Sequence, residues 1–594
     1  MTADITAERF GDRIEIRLPF HLKDVVKLVP GAKWDRAANV WWAPLTWAAC
    51  VSLRGVFGDR LAVGEALAVW ALEERRTRVD VCMSLRDALD HQDAVLDELH
   101  QTSNLHTLWP FQRGVVAFLA AARSALLASE MGTGKTPVGL MALRYLQATR
   151  KDALPALIVT PNTVKRTWAE EAKIWAPELD VRVVTGGAAA RRKMLEEPAD
   201  VFIINWEALR AHSRLAPYGS TRLKRCAECG GADKSCEVHE RELNRIDFGA
   251  VIADEAHRAK SPKALQTRAL WAVGAKARYR FALTGTPIAN RVDDLWSIMH
   301  FIDPAEWDSR TRYVDRFALT AWNPFGGLEI VGVRPDTADE FFKILHPRMR
   351  RDLKAVAMPD LPVKSYQTRF LEATPKQAKA YREMQKEMIA ELDSGLVTAT
   401  DPLVKALRLW QLASSMIVMD PTGRSATECL EPSCKVDALL ELIEESAGQP
   451  LVAFAESRLL IELCERVLTR EKIGFVSIHG NVDEVQRQDN IEKFQRGGVP
   501  VCLATIKAGG VGITLTRAHA AVFLQRSWSA VDNRQAEDRV HRGGLDHPVT
   551  VIDLVTNGTV EELRVTGLLT KEMTLQEIVR DADALRAMLT TKGV

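Results

Sequence analysis

The residues best suited to chemistry lie in Leu126-Leu-Ala-Ser-Glu-Met-Gly-Thr-Gly-Lys-Thr136. An apolar run leads into this stretch and helix-forming residues follow it. The order strand, glycine-containing loop, helix turns backbone N–H groups and a helix N-terminus towards an anion. Met131, Gly132, Thr133, Gly134, Lys135 and Thr136 would cradle the phosphates of ATP. In such a loop the lysine reaches the β- and γ-phosphates and the Thr136 hydroxyl sits on Mg²⁺. Ser129 stands where the generic loop carries its first glycine. Upstream, Gln112 in Leu108-Trp-Pro-Phe-Gln-Arg-Gly114 offers a carboxamide, whose donor and acceptor suit the N6/N7 edge of adenine.

Two acidic residues close a later apolar run, in Asp254-Glu-Ala-His257. Asp254 is placed to hold Mg²⁺ through water, and Glu255 to orient and deprotonate an attacking water. Leu283-Thr-Gly-Thr-Pro287 ends a further run with two hydroxyls and a sharp turn, suited to coupling nucleotide state to movement. A different chemistry is written in Cys226-Ala-Glu-Cys229 and Cys236-Glu-Val-His239. Two close pairs of soft ligands suit tetrahedral Zn²⁺, and a site filled by four protein ligands is structural. The preceding Arg222, Lys224 and Arg225 form either a DNA-touching stretch or a solvated loop. Cys429 and Cys434, more loosely spaced and without a nearby His, are expected to be incidental thiols.

These residues need strands to carry them. Ala156–Pro161, Val201–Asn205, Ala250–Asp254 and Tyr279–Leu283 read as buried strands separated by helical stretches. Strands alternating with helices predict an α/β fold, with a parallel sheet and its sites at the strands' carboxyl ends. Residues 1–62 read as a small α+β unit: Arg13–Leu18 alternates, and Gly31–Arg36 with Val40–Leu45 predicts a hairpin turning at Asp35 to Asn39. Trp34, Trp41, Trp42 and Trp47 crowd this segment, either as the core of a small domain or as rings that stack on a base beside Lys33 and Arg36. Residues 63–104 and 375–415 read as helical, as does the chain from Val560 onwards.

Bulk properties narrow the class. A chain of 594 residues, 47% hydrophobic and 26% charged, has an ordinary globular composition. Its length suits about four domain-sized units. The net charge of +1 restricts any nucleic-acid site to a local basic surface. No export signal or membrane span is apparent, and nine cysteines, an odd number, argue for reduced thiols and a cytoplasmic protein.

Taken in order, Gln112, Ser129–Thr136, Asp254–His257 and Leu283–Pro287 resemble the first motor lobe of a superfamily-two helicase, in its Swi/Snf-like form. Glu130-Met-Gly before the GKT, and Asp294-Leu-Trp-Ser-Ile298 after the turn, belong to that pattern. Arg350-Arg-Asp-Leu and Pro359-Asp-Leu-Pro-Val-Lys364 resemble the passage between that family's lobes. Leu451–Glu456, Ile478-His-Gly480, Arg487–Phe494, Cys502–Thr516 and Gln535–Arg542 resemble motifs of the second lobe. Thr514 stands where the family usually has Asn, Gly543-Gly-Leu545 replaces Ile-Gly-Gln, and Ser129 and Thr133 replace its common Asp and Leu. The first sixty residues resemble, over a short stretch, the HARP domain of annealing helicases.

The resemblance implies two RecA-like lobes, the first over residues 105–360 with the zinc insertion at 219–243, the second over 431–575. A helical connector at 361–430 and a C-terminal helix at 576–594 complete the expected organisation. It implies Arg539 and Arg542 as paired fingers, spaced i and i+3 on one helical face, with Gly512 at the nucleotide. Asn162, Lys165, Thr505 and Lys507 are the implied contacts to the DNA backbone. The expected activity is a monomeric DNA-dependent ATPase and translocase on duplex or forked DNA, largely indifferent to sequence and without a membrane partner. An RNA-directed DEAH-type helicase and a nucleotide-regulated binding module without turnover are the alternatives.

Overall fold

The computed structural model describes residues 4–101, 107–213, 241–285, 292–322, 328–394, 401–420, 425–509 and 513–565. It divides into two compact units, Met1–Ala357 and Met358–Val594.

Unit 1 opens with strands β1 (Ile5–Phe10), β2 (Arg13–Arg17), β3 (Lys33–Asp35), β4 (Val40–Pro44) and β5 (Leu61–Val63). They form one sheet in the order β3-β4-β2-β1-β5, with β5 parallel to β1 and the other pairs antiparallel. The predicted hairpin is β3–β4, with Asn39 in the left-handed region at its turn. Ile5, Ala7, Ile14, Ile16 and Ala43 point to one face, as period-2 alternation requires. There they bury against Ala49, Leu53 and Phe57 of helix Trp47–Phe57. Thr46 caps this helix, its hydroxyl accepting from Ala49 N at 3.2 Å. Trp41 packs on this core, while Trp34 stays 45% exposed with its ring centroid 5.6 Å from that of Trp41. Ser52 donates to the Glu340 carboxylate at 2.8 Å and so docks the domain on helix Ala338–Leu345, where Arg316 donates to the same carboxylate at 2.5 Å.

The main sheet of unit 1 uses β6 (Ser124–Leu127), β7 (Ala156–Thr160), β8 (Val181–Val183), β9 (Val201–Asn205), β10 (Ala250–Asp254) and β11 (Tyr279–Leu283). A hairpin of β12 (Ala318–Trp322) and β13 (Leu328–Val333) follows, then β14 (Met349–Arg350). The sheet order is β14-β6-β11-β10-β7-β9-β8, all pairs parallel. Every residue of β6, β7 and β10 is buried, which is why these strands read as unbroken apolar runs. Register aligns the carboxyl ends: Leu127 lies beside Leu283, Leu283 beside Asp254, and Ala253 beside Val159.

Unit 2 contains β15 (Lys364–Leu371), a hairpin of β16 (Met416–Met419) with β17 (Ala426–Leu430), then β18 (Leu451–Ala455), β19 (Phe475–Ile478), β20 (Val501–Thr505), β21 (Ala520–Phe523) and β22 (Val549–Thr556). A second parallel sheet runs β15-β22-β21-β18-β20-β19. The stretch 361–430, expected to be a helical connector, therefore supplies an edge strand and a hairpin besides helices Pro375–Ser394 and Asp401–Leu412. Its strand β15 is mostly polar and largely exposed along the sheet edge, so it lacks the apolar run of a central strand. Among the described residues no helix is long and apolar enough to cross a membrane.

Candidate nucleotide site

The loop after β6 leads into helix Lys135–Arg150, with Gly134 in the left-handed conformation at its N-cap. A Cβ on Gly134 would lie 2.2 Å from Gln112 Nε2, so a larger residue would have to displace the Gln112 carboxamide as well as adopt an unfavourable φ. Lys135 Nζ donates to the carbonyls of Ser129 and Glu130 at 3.1 and 3.0 Å, which folds the ammonium over the loop. Thr133 Oγ1 donates to Glu130 O at 2.8 Å, tightening the same turn. Met131 lies under Gly285, where a Cβ would approach Met131 Cγ to 2.3 Å and Lys135 Nζ to 3.3 Å. The loop and the turn after β11 are thus packed backbone to side chain. Thr136 follows in the first turn of the helix, half-buried, where its hydroxyl can meet a phosphate-bound cation.

Gln112 is 4% exposed in helix Pro110–Ala122. Its Oε1 accepts from Trp109 N and its Nε2 donates to Thr133 O, both at 2.9 Å. The expected adenine reader is therefore also a brace between the helix start and the phosphate loop.

At the end of β10, Asp254 is buried and its Oδ2 accepts from Thr160 Oγ1 and Trp168 Nε1, both at 2.9 Å. Burial, then the neighbouring Glu255 carboxylate, push its pKa up, while Trp168, Thr160 and Lys135 favour the charged form. A carboxylate so placed gains from a cation, and Thr160 and Trp168 keep it aimed. Thr160 and Trp168 carry no motif signal of their own; their role appears only once β7 lies beside β10. Glu255 adopts φ 52°, ψ 49°, a left-handed conformation costly for a non-glycine residue and typical of functional positions. His257 Nδ1 lies 3.3 Å from Glu255 Oε2 and 3.4 Å from Thr284 Oγ1, linking the acidic strand end to the turn after β11. Among the described residues no three His, Cys, Asp or Glu side chains form a metal cage. The donors fit Mg²⁺ held by a single carboxylate and a threonine hydroxyl together with substrate phosphate oxygens.

Two side-chain links tie the loop to the end of unit 1. Ser129 Oγ donates to Asp352 Oδ2, and Glu130 Oε2 accepts from Lys354 N at 2.7 Å. Asp352 also accepts from Arg350 Nε at 2.9 Å, and its carboxylate pairs with Nη2 at 2.8 Å. The fully buried Arg350 reaches the carbonyls of Leu85, Ala88 and Phe111. Ser129, a departure from the common loop, thereby acquires a partner.

In unit 2, helix Ala530–Val540 carries Arg539 in its last turn. Arg542 lies beyond the helix end, which corrects the expectation that both arginines share one helical face; His541 leaves helical geometry at φ -96°, ψ 89°. Arg542 Nη1 donates to Thr514 Oγ1 at 2.9 Å, and Leu515 N donates to Arg539 O at 2.9 Å. Thr514 thus partners Arg542 from the position usually held by Asn.

The expected DNA contacts are placed unevenly. Asn162 is exposed in the turn Asn162–Val164 after β7. Lys165 is 7% exposed and its Nζ donates to Val184 O at 3.2 Å and Asn205 Oδ1 at 3.4 Å, a placement at odds with a surface phosphate contact. Thr505 is buried at the end of β20, whereas Lys507 is exposed and pairs with Glu456 at 3.0 Å. Gly512 and all four zinc-ligand candidates (Cys226, Cys229, Cys236, His239) lie outside the described residues. Among the described residues, His212 Nδ1 and Arg192 Nε approach the Glu242 carboxylate at 3.2 and 2.9 Å. Cys429 and Cys434 are buried free thiols with pKa values raised chiefly by burial, as incidental thiols should be.

A phosphate loop, an acidic strand end and a hydroxyl-bearing turn on adjacent parallel strands define a P-loop nucleotide-binding lobe. The chain matches the SNF2-related domain over residues 67–414 and the helicase conserved C-terminal domain over 434–544. It belongs to the SNF2-related family. It is 27% identical over 505 residues to a putative ATP-dependent helicase/translocase YwqA of Bacillus subtilis, covering 82% of this chain and 50% of that protein. To the DNA annealing helicase and endonuclease ZRANB3 of Mus musculus it is 26% identical, over 77% of this chain and 39% of the other. The chain spans half or less of the length of these curated relatives. The SWI2/SNF2 ATPase core of Sulfolobus solfataricus in complex with dsDNA aligns at 24% identity and TM-score 0.36, over 82% of this chain and 98% of that one.

Proposed function

We propose that the chain is a DNA-dependent ATPase that couples ATP hydrolysis to movement on, or remodelling of, duplex or forked DNA. The observation that carries this reading is the row of aligned strand ends bringing the Lys135 loop, Thr284 and the Asp254–Glu255 pair onto one edge of a parallel sheet. Lys135 and the N–H groups of the loop would bind the triphosphate. Thr136 and Asp254 would hold Mg²⁺, which when bound neutralises phosphate charge. Glu255 would orient the attacking water and take its proton. Arg539 and Arg542 would neutralise charge spreading over the departing γ-phosphoryl. Translocase and annealing-helicase names among the relatives support DNA as the track, and the family match gives the RNA-directed alternative no support.

Asn162 and Lys507, both exposed, are the favoured backbone contacts, with Thr505 as a supporting group at a strand end. Contacts of that kind make binding salt-sensitive and indifferent to sequence. The spacing of Cys226, Cys229, Cys236 and His239 supports a structural Zn²⁺. A monomer acting in the cytoplasm is the working assembly, in keeping with the free thiols at Cys50, Cys82, Cys464 and Cys502. The test is ATP turnover measured with duplex DNA, forked DNA, single-stranded DNA and RNA. Stimulation by duplex or forked DNA, abolished in Lys135→Ala, is expected; equal stimulation by RNA, or turnover surviving that substitution, would refute the reading.

A further inference from the structure

Glu537 lies two residues before Arg539 and is only 4% exposed, although it is charged. A buried carboxylate persists where cations satisfy it, and this one meets two. Its Oε1 accepts from Arg526 Nη1 at 2.6 Å. Its Oε2 accepts from Lys364 Nζ at 3.0 Å and from the Tyr366 hydroxyl at 2.9 Å. Arg526 is in turn fixed by Asp553 at 2.6 Å and lies over the Phe523 ring at 3.6 Å. Burial works against the charge of Glu537, yet Arg526 and Lys364 hold its pKa below the ordinary glutamate value.

The residue two places after Arg539 is held from the same direction. His541 Nε2 donates to Pro362 O at 2.7 Å. Within the helix, the position two before Arg539 lies on the side opposite to it, rotated by about 200°, and His541, just past the helix end, is held by the same incoming stretch. The stretch Pro362–Tyr366, where the chain enters unit 2, thus grips the back of the helix end that presents Arg539.

We propose that Glu537 is a positioning residue for Arg539, with Lys364 and Tyr366 as the anchor that holds it. This rests on the reading of Arg539 as a finger to the triphosphate. Loss of the anchor leaves nucleotide binding by unit 1 intact, because Lys135, Gln112 and Asp254 are untouched, but lets the guanidinium wander. Displacement by about an ångström at a reacting centre costs roughly a hundredfold in rate.

The experiment measures kcat and KM for ATP, with duplex DNA present, in Glu537→Gln, Lys364→Met, Lys364→Arg, the Glu537→Gln, Lys364→Met double variant and Arg539→Ala. Expected are kcat losses of roughly ten- to a hundredfold in the first two, with KM within about twofold. The double variant should be no slower than the worse single one, because both remove one anchor. Lys364→Arg should recover most of the rate. Thermal melts run alongside: a kcat loss matched by unfolding overturns the proposal, as do multiplying losses in the double variant. Turnover surviving Arg539→Ala would sink the finger reading itself. Arg539→Ala inactive with Glu537→Gln and Lys364→Met at full kcat would sink only the positioning role.

Discussion

The phosphate loop hangs from the end of unit 1 by a bond that can be cut with little else disturbed. Ser129→Ala removes the hydroxyl that donates to Asp352 while leaving the loop glycines, Lys135 and the Glu130–Lys354 link in place. A hydrogen bond to a charged group contributes about 1.5–3 kcal/mol. The Gln112 and Thr133 bonds still brace the loop, so about 1 kcal/mol is expected to reach nucleotide affinity. That is a rise in KM for ATP of roughly fivefold with kcat within about twofold. Asp352→Asn differs in kind, because it strips the carboxylate from Arg350, whose Nε donates to it at 2.9 Å and whose Nη2 pairs with it at 2.8 Å. A fully buried guanidinium left facing no charge costs about 3–5 kcal/mol. Urea unfolding followed by tryptophan fluorescence reports chiefly on unit 1, since only Trp410 and Trp528 lie in unit 2. The denaturation midpoint should therefore fall clearly in Asp352→Asn and hardly move in Ser129→Ala. Unchanged KM in Ser129→Ala, or an unshifted midpoint in Asp352→Asn, refutes the anchoring argument.

Further outcomes follow from the same geometry. Glu255→Gln should retain ATP yet hydrolyse it at least a hundredfold more slowly, checked by filter binding beside single-turnover hydrolysis; normal turnover would remove Glu255 from the chemistry. Glu537 has a folded pKa below the ordinary 4.5, so its stabilisation is present above that value and is lost as pH falls through the lower one. Hydrogen exchange in Ala530–Val540 should accelerate as pH drops below 4.5 after correction for intrinsic rates, and a Glu537→Gln helix showing the same acid dependence would refute that assignment. Metal analysis of the purified protein should find about one zinc per chain, lost in Cys229→Ser; equal zinc content in both would dismiss the site.

Much of unit 1 was legible because its central strands are buried on both faces. Ala156–Thr160 and Ala250–Asp254 announce themselves as apolar runs, and the catalytic candidates sit at their ends by chain contiguity alone. Strand β15 escaped because an edge strand facing solvent carries Lys364, Ser365, Gln367 and Thr368 and does not look like a sheet member. Arg542 escaped the helix because the turn begins at His541, ahead of the Gly543-Gly544 pair that signals it. Lys165 looked like a phosphate contact by motif position, but its long stem carries the ammonium back to Val184 O and Asn205. The supports of the site were least legible of all: Ser129 and Asp352 are 223 residues apart, Lys364 and Glu537 173. Spacing rules reach along a helix or across a turn, so such pairs appear only when the sheets are assembled.

Those distant supports lie close together in the sequence, and that bears on how hydrolysis would be coupled to motion. Asp352 and Lys354 hold the phosphate loop within unit 1; Pro362, Lys364 and Tyr366 hold the arginine-bearing helix end within unit 2. The short stretch that joins the two units is therefore bonded, at either end, to an element proposed to act on the nucleotide. A pull on that stretch would act on the loop through a carboxylate–hydroxyl bond and on the helix end that carries Arg539 through a buried ion pair. Both links are directional and short: breaking the first is expected to weaken nucleotide affinity roughly fivefold, and breaking the second to slow turnover roughly ten- to a hundredfold. Coupling of this kind needs no contact between DNA and nucleotide. It requires that strain from the track reach residues 350–366, and the Ser129 and Glu537 variants then differ in a defined way, the first in nucleotide affinity and the second in turnover.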